Sequence, residues 1–178
     1  DSSNHTLSSQ YESSVGFRTI GSFLAVGDAG NIWSSVDTMS WTSRTSGTTH
    51  NLHGVTFGNN TFVAVGYSGT ILTSQDGITW DNRTTGSTTL YSVAFGNNTF
   101  VAVGNGGKIL TSTDNGTSWD NRTSGGSSAF HSVSFGNEKF HAVGGVEYYR
   151  SGWGWQKEGM ILVSTDDGTS WSAGCSAS

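Results

Sequence analysis

Ser112-Thr113-Asp114-Asn115-Gly116-Thr117-Ser118-Trp119 is an octet with a polar start, one glycine and a terminal indole, and it recurs. Ser164-Thr165-Asp166-Asp167-Gly168-Thr169-Ser170-Trp171 is nearly identical. Ser74-Gln75-Asp76-Gly77-Ile78-Thr79-Trp80 is the same device one residue shorter. Ser35-Val36-Asp37-Thr38-Met39-Ser40-Trp41 is a worn copy without the glycine. Trp41, Trp80 and Trp119 are 39 residues apart, and the step from Trp119 to Trp171 is 52. A fixed interval near 40 residues is the mark of one supersecondary unit made several times.

Three further pieces accompany each octet. The first is Val-x-Phe, at Val15-Gly16-Phe17, Val55-Thr56-Phe57, Val93-Ala94-Phe95 and Val133-Ser134-Phe135. Its alternation predicts a strand. The second is Phe-x-Ala-Val-Gly, at 23–27, 62–66, 100–104 and 140–144. Gly-Asn-Asn-Thr lies between these pieces at 58–61 and 96–99. Glycine and asparagine tolerate the left-handed backbone of a tight turn, so the two strands should form an antiparallel hairpin. The third piece is Ile-Leu-x-Ser at 71–74, 109–112 and 161–164, with Asn31-Ile32-Trp33-Ser34 in its place in the first unit. A fourth, outermost strand should start at the octet's Trp.

Four short strands per unit of about 40 residues predict an all-β chain, a propeller of four four-stranded blades. The blades fall at about 11–46, 50–85, 89–124 and 129–172, within one domain at 11–172. Segments such as Phe62-Val63-Ala64-Val65 are apolar on both faces, as suits a sheet between two neighbours. Residues 1–10 form a polar tail, a candidate strand-donating arm, and 173–178 a second tail. Four blades is the low end for closure. The alternative is a larger propeller completed by another chain.

Ser-x-Asp-x-Gly-x-Thr/Ser-Trp resembles the Asp-box, or BNR repeat, of sialidase-type propellers. The run Ala102-Val103-Gly104-Asn105-Gly106-Gly107-Lys108-Ile109-Leu110-Thr111-Ser112-Thr113-Asp114 is similar to repeats of the Ycf48-like photosystem-assembly-factor propellers. The resemblance covers about residues 13–172. It implies a box on a rim turn, away from the usual ligand face, with a structural role. That role falls to Ser35, Asp37, Trp41, Ser74, Asp76, Gly77, Trp80, Ser112, Asp114, Gly116, Trp119, Ser164, Asp166, Gly168 and Trp171. The residues themselves agree. Asp76, Asp114 and Asp166 can accept hydrogen bonds from N–H groups of their own turn. The glycine takes a positive φ, and the indole covers the turn. A calcium site built on these aspartates, Asp167 included, lacks the dense oxygen ligands of a calcium loop, so no metal and no cofactor is expected.

Composition narrows the function classes. The chain has 178 residues, long enough for one real core. Hydrophobic content is 33%, aromatics are 12% and glycines number 26, which suits short strands, many turns and rings in the core. A net charge of -5 argues against nucleic acid as a partner. Proline is absent, which reads as amplification of a Pro-free ancestral repeat. Cys175 is the one cysteine, so no disulfide forms within the chain; it is an unpaired thiol or a link to a second chain. No apolar run is long enough to span a bilayer. No signal peptide is visible, which does not place the protein in the cytosol.

Four groups of residues compete as sites. Arg44, Arg83 and Arg122 each follow an octet Trp by three residues. A sialidase-like enzyme would use such arginines to grip a carboxylate. Their outer-strand placement favours a role in linking blades, and the fourth unit has none. His53, Tyr91 and His131 share one repeat position and are candidates for a ring near the axis or for plain polar plugs at strand starts. The insertion at 146–158 departs from the repeat and carries Tyr148, Tyr149, Arg150, Trp153 and Trp155. Those residue types build interface hot spots and sugar-stacking surfaces. A hairpin extending strands two and three without a partner is the competing reading. Finally, Asn4, Asn59, Asn82, Asn97, Asn115 and Asn121 head Asn-x-Ser/Thr sequons, candidates for glycosylation in a secreted chain.

The reading with most support is a non-catalytic propeller, extracellular or in the cell envelope, acting as a structural or interaction module. Its partners would be other copies of itself, assembling as an oligomer or filament, or another protein. A carbohydrate-binding propeller using the aromatic insertion is the alternative. A glycosidase, which needs two facing acids, is less favoured because the chain shows no evident pair.

Overall fold

The computed structural model describes residues 23–150 and 154–177. Val15-Gly16-Phe17 and the polar tail at 1–10 lie outside the described residues. The rest is strand and turn in four antiparallel meanders. The first holds β1 (Phe23–Val26), β2 (Ile32–Ser35) and β3 (Thr42–Arg44). The second holds β4 (Leu52–Gly58), β5 (Thr61–Gly66), β6 (Ile71–Ser74) and β7 (Asp81–Asn82). The third holds β8 (Leu90–Gly96), β9 (Thr99–Gly104), β10 (Ile109–Ser112) and β11 (Asp120–Arg122). The fourth holds β12 (Ala129–Gly136), β13 (Lys139–Arg150), β14 (Gly154–Ser164) and β15 (Ser172–Ala177). Each strand pairs with the next in sequence, so every sheet is a simple up-and-down blade.

The turns explain the meander. Asn59 and Asn60 take φ 45° and 59°, and Asn97 and Asn98 take the same pair of values. Both central residues at positive φ is the two-residue hairpin whose twist matches its strands. Asn137 and Glu138 repeat it with φ 50° and 59° in the last blade. At the far end of the middle strands a tight turn carries Ser68 (φ 56°) and Gly69 (φ 70°), with Gly106 and Gly107 at the same place one blade on.

The middle strands are apolar on both sides because each side meets a neighbouring blade. Leu52, Ala64 and Leu72 meet Ile32 of the first sheet. On the opposite face Val63, Val65 and Ile71 pack against Phe100, Ala102 and Leu110. Val101, Val103 and Ile109 pack in turn against Phe140, Ala142 and Leu162. Three seams of one design therefore hold the blades in a row. Glycines let the innermost strands approach. A Cβ on Gly58 would sit 2.1 Å from the Phe95 ring, and one on Gly96 2.2 Å from the Phe135 ring.

The ends of the row bear on two expectations, the second of which is corrected. The first is the four-blade ring. Among the described residues three seams join the four sheets and no closed ring is shown, the first blade's expected innermost strand at 15–17 lying outside them. The second is the C-terminal tail at 173–178. Ser172–Ala177 is strand β15, and it pairs with Gly159–Val163. The lengthened β14 supplies the edge on which those residues continue the sheet.

The insertion is a hairpin extension. β13 runs for 12 residues and β14 for 11, where the equivalent β9 and β10 have 6 and 4. Pairing continues from Gly145↔Gly159 to Arg150↔Gly154, so the two strands form an arm. Strand direction places this arm at one end of the blades, with the tight turns at 67–69 and 105–107. The octets and the Asn turns lie at the opposite end.

Candidate functional site

Each octet is a closed set of hydrogen bonds. In the third blade Ser112 Oγ donates to Asp114 Oδ1 at 2.8 Å and accepts from Gly116 N–H at 2.9 Å. Asp114 also accepts from Ser118 N–H at 2.9 Å and from Ser118 Oγ at 2.6 Å. Trp119 Nε1 donates to Gly116 O at 3.0 Å, which ties the indole over the turn. The fourth blade repeats all five bonds through Ser164, Asp166, Gly168, Ser170 and Trp171. In the second blade Ser74, Asp76, Gly77 and Thr79 make the same bonds, and Ile78 N–H adds another to Asp76. The worn first copy keeps the pattern through Ser35, Asp37, Thr38, Met39 and Ser40, with Thr38 at φ 64° where the others have glycine.

Donors converging on one carboxylate favour its charged form. Partial burial pushes Asp76 upward, but the Thr79 and Ile78 N–H groups with the Thr79 and Ser74 hydroxyls outweigh it and hold its pKa at about 2. The Ser170 hydroxyl leads for Asp166, followed by Ser170 N–H and the Ser164 hydroxyl, and its pKa is also about 2. Burial opposes the Ser118 and Ser112 donors at Asp114, whose pKa is nonetheless lowered. The N–H groups of Ser40 and Met39 lower Asp37. Such carboxylates are poor proton donors near neutral pH, the reverse of what a general acid needs.

The arginines serve their own sheets. Nε of Arg44, Arg83 and Arg122 donates to Ser34, Thr73 and Thr111 at 2.7, 3.4 and 2.8 Å, two strands within one blade. Arg83 pairs with Asp81 and Arg122 with Asp120, both at the surface. The expected link between blades is therefore a link between β-strands of one blade. Neighbouring arginines sit on separate sheets and do not form one cluster.

His53, Tyr91 and His131 do come together. Each occupies a bulge in the innermost strand of its blade, between Leu52 and Gly54, Leu90 and Ser92, and Phe130 and Ser132. A bulge re-aims one side chain out of the alternation. The rings follow one another at 5.8 Å and 5.3 Å between centroids, tilted 46° and 36°. This ladder and the arm share one end of the blades. No group of three or more potential metal ligands occurs among the described residues.

Tyr148, Tyr149 and Arg150 lie on β13 of the arm and Trp155 on β14, with Tyr149 opposite Trp155 in register. Trp153 lies outside the described residues, as does Asn4. Asn59 and Asn97 sit on hairpin turns, and Asn115 on an octet at φ 60°. Asn82 Oδ1 accepts from Thr84 N–H at 2.8 Å, and Asn121 pairs with Leu110. Among the described residues, two shallow clefts open beside the tight turns. One is lined by Ala29, Arg44, Ser46, Thr48 and His50 among others, the second by Asn105, Lys108, Arg122 and Ser124 among others, and no carboxylate lines either. These clefts, and a bond from Asn97 Nδ2 to Asp167 Oδ1 at 3.0 Å between blades, were not foreseen from sequence. Each cleft gathers residues of a single blade and its flanking segments, whereas the Asn97–Asp167 bond is made by the stacking of the third and fourth blades.

No family model matches the chain, and no curated protein does. Among solved structures the chain is similar to YCF48 from Cyanidioschyzon merolae, at 24% identity and TM-score 0.50, over 68% of this chain and 36% of that one. It is similar to YCF48 bound to a D1 peptide, at 17% identity and TM-score 0.55, over 84% and 61%. It also resembles an ancestral GH74 enzyme, at 17% identity and TM-score 0.60, over 85% and 25%. The chain thus spans between a quarter and about three fifths of the length of these structures. At such identities the likeness concerns the fold, and it is to propeller blades.

Proposed function

We propose that the chain is a non-catalytic propeller module that works by binding macromolecules, outside the cell or in its envelope. The observation that carries this is the fate of the octet carboxylates. Asp37, Asp76, Asp114 and Asp166 are each held ionised by their own turn, and the described clefts are lined by no acid. Glycoside hydrolysis requires a protonated and an ionised carboxyl on two sides of one bond. In this reading the octets are Asp-boxes with a fastening role. YCF48 bound to a D1 peptide is a protein-binding neighbour in fold, consistent with a protein as partner.

The test is turnover. The full chain is incubated with a panel of oligosaccharides, and release of reducing ends is followed. No release is expected. Release that is abolished by replacing one acid outside the octets, such as Asp28→Asn or Glu138→Gln, overturns the reading.

One observation favours a second reading, carbohydrate binding. The arm that carries Tyr148, Tyr149 and Trp155 and the His53–Tyr91–His131 ladder lie at the same end of the blades. Aromatic residue types grouped at one end of the blades suit stacking against sugars. Glycan-array signal that falls for Tyr149→Ala and Trp155→Ala would support it. Secretion would also expose the sequons at Asn59, Asn82, Asn97, Asn115 and Asn121 to glycosylation.

A further inference from the structure

The row of blades ends in two unlike faces, and each is one half of the seam that the chain makes internally. On the fourth blade Val143 occupies the place of Val65 and Val103, and Ile161 that of Ile71 and Ile109. Those inner residues are fully buried, whereas Val143 is 40% exposed and Ile161 half-buried. Gly136 stands where Gly58 and Gly96 lie under the rings of Phe95 and Phe135. The inner two are buried, but Gly136 is exposed and a Cβ built on it meets nothing within 4 Å. On the first blade Phe23 and Trp33 occupy the places of Phe100 and Leu110, which are buried in the third blade. Here they are 39% and 41% exposed, and the octet indole Trp41 is 41% exposed beside them.

The two faces also depart from the inner repeats in compensating directions. The first blade is bulkier. Trp33 replaces the leucine at 72, 110 and 162, and Thr38 replaces the octet glycine. The fourth blade is more open at its outer edge. The arginine that lies over Thr73 and Thr111 in the inner blades is missing, and Gly174 follows the fourth indole by three residues in its stead. Beside Gly174 lies Val163, whose methyl would be 2.8 Å from an added Cβ. Lys139 and His141 make the inner part of this face more polar than Thr99 and Val101 do, which would suit a capping blade. The uncovered Gly136, Val143 and Ile161 do not suit one.

We infer that the occupant of the fourth-blade face is the first blade of a second copy of this chain, joined head to tail through Gly136, Val143, Ile161 and Val163 against Phe23, Trp33 and Trp41. The contact continues an interface already present three times in the molecule. A heterologous contact of this kind closes into a ring when its rotation allows, and otherwise builds a filament. Two chains of four blades need about 45° per seam, within the four-to-eight-blade range of closed propellers. The inference rests on the binding-module reading and names its partner. Its failure is separable, because turnover decides that reading and native mass decides this one.

The experiment uses the full chain and three variants in sedimentation velocity and native mass spectrometry. Gly136→Val adds a branched side chain where the single chain has space, so the blades should still form while the seam is blocked. Trp33→Glu spoils the opposite face, and Trp33→Leu, the residue of the other three blades, is its milder companion if the charge impairs folding. Circular dichroism of the β-sheet checks each fold. The unaltered chain is expected to assemble beyond the monomer in the micromolar range, as a discrete dimer for a ring or a ladder of masses for a filament. Gly136→Val and Trp33→Glu should each be monomeric alone, and Trp33→Leu should assemble at least tenfold more weakly than the parent. A mixture of Gly136→Val with Trp33→Glu should stop at a one-to-one heterodimer, since one good face remains on each chain. A parent chain that stays monomeric up to about 1 mM, the weak limit of specific association, overturns the inference. That result would assign the exposed faces to capping or to the chain's own residues 1–22. Assembly that survives Trp33→Glu, which would show a contact that bypasses the first-blade face, overturns it equally, as does a mixture with no heterodimer, which would show that the two faces do not bind each other.

Discussion

Asn97 and Asp167 join two blades by a single side-chain hydrogen bond, Nδ2 to Oδ1 at 3.0 Å, across 70 residues of sequence. Asn97 sits on the turn between β8 and β9, and Asp167 on the octet of the next blade. At the matching position of the third octet stands Asn115, which carries no charge. Asn59, the counterpart of Asn97, therefore has no acid facing it from that place.

This difference gives a controlled test. Asn59 and Asn97 share φ 45°, so Asn→Asp costs the same backbone strain at both. Asn97→Asp alone sets a second carboxylate against Asp167. It should lower stability by roughly 0.5 kcal/mol more than Asn59→Asp at low salt, because the site is exposed. The excess should shrink in 1 M salt, where the Debye length falls to about 3 Å. Thermal unfolding of both variants at two ionic strengths reads it. Equal losses at both sites would show that the bond is absent in solution.

The octet carboxylates set an acid limit. A folded pKa below the unfolded 3.8 means that the folded chain binds fewer protons, so stability is full above about pH 4. It should fall as the pH drops through the folded values near 2. Asp76→Asn and Asp166→Asn keep an acceptor oxygen and remove the charge. Each should be less stable than the parent at pH 7, and the gap should shrink as the pH approaches 2. The size stays modest, because these groups are largely in contact with water. Denaturant titrations at pH 7, 4 and 2 check it, and a gap that does not change with pH would contradict it.

The blade interior was legible because its signals are local and were repeated four times. Gly58-Asn59-Asn60-Thr61 states its own turn, and Phe62-Val63-Ala64-Val65 states that both faces are covered. The octet stated its hydrogen bonds through residue types alone. Closure was not legible, since a ring depends on small rotations at each seam, which no residue encodes by itself. The end of the last blade was misplaced for a related reason. Gly174, Cys175 and Ser176 carry no strand signal, and they become strand only because β14 is long enough to offer them an edge. The His53–Tyr91–His131 ladder was visible as one repeat position, but the bulges that aim its rings were not.

Trp80 departs from its siblings. Nε1 of Trp41, Trp119 and Trp171 donates to a carbonyl of its own octet at 3.1, 3.0 and 2.9 Å, while Trp80 Nε1 is buried with no partner. An unpaired buried donor is a net cost, and a paired one contributes about 1 kcal/mol. Trp→Phe removes the donor and part of the ring at either place. Trp119→Phe should therefore cost about 1 kcal/mol more than Trp80→Phe. Urea midpoints at unchanged slope measure the difference, and a larger loss at Trp80 would show that its indole has a partner in solution.

Gly116 is the one glycine of the third octet, and the cost of replacing it can be divided. It takes φ 78°, and a Cβ there would lie 2.8 Å from Thr73 Cγ2 and 3.3 Å from Val63 Cγ2 of the preceding blade. Gly125 takes nearly the same φ, 79°, with nothing within 4 Å of an added Cβ. Gly125→Ala therefore measures the left-handed strain alone, about 1 kcal/mol. Gly116→Ala adds overpacking at the seam, about 1–3 kcal/mol more. Thr73→Ser removes the nearer methyl and keeps the hydroxyl that accepts from Arg83 Nε. In the Gly116→Ala background it should recover part of the added cost, whereas in the parent it should only destabilise. Denaturant unfolding of the four chains in that cycle gives a coupling of about 1 kcal/mol if the octet of one blade packs on the strands of the last. Strict additivity, or equal costs at Gly116 and Gly125, would place the octet free of the preceding blade.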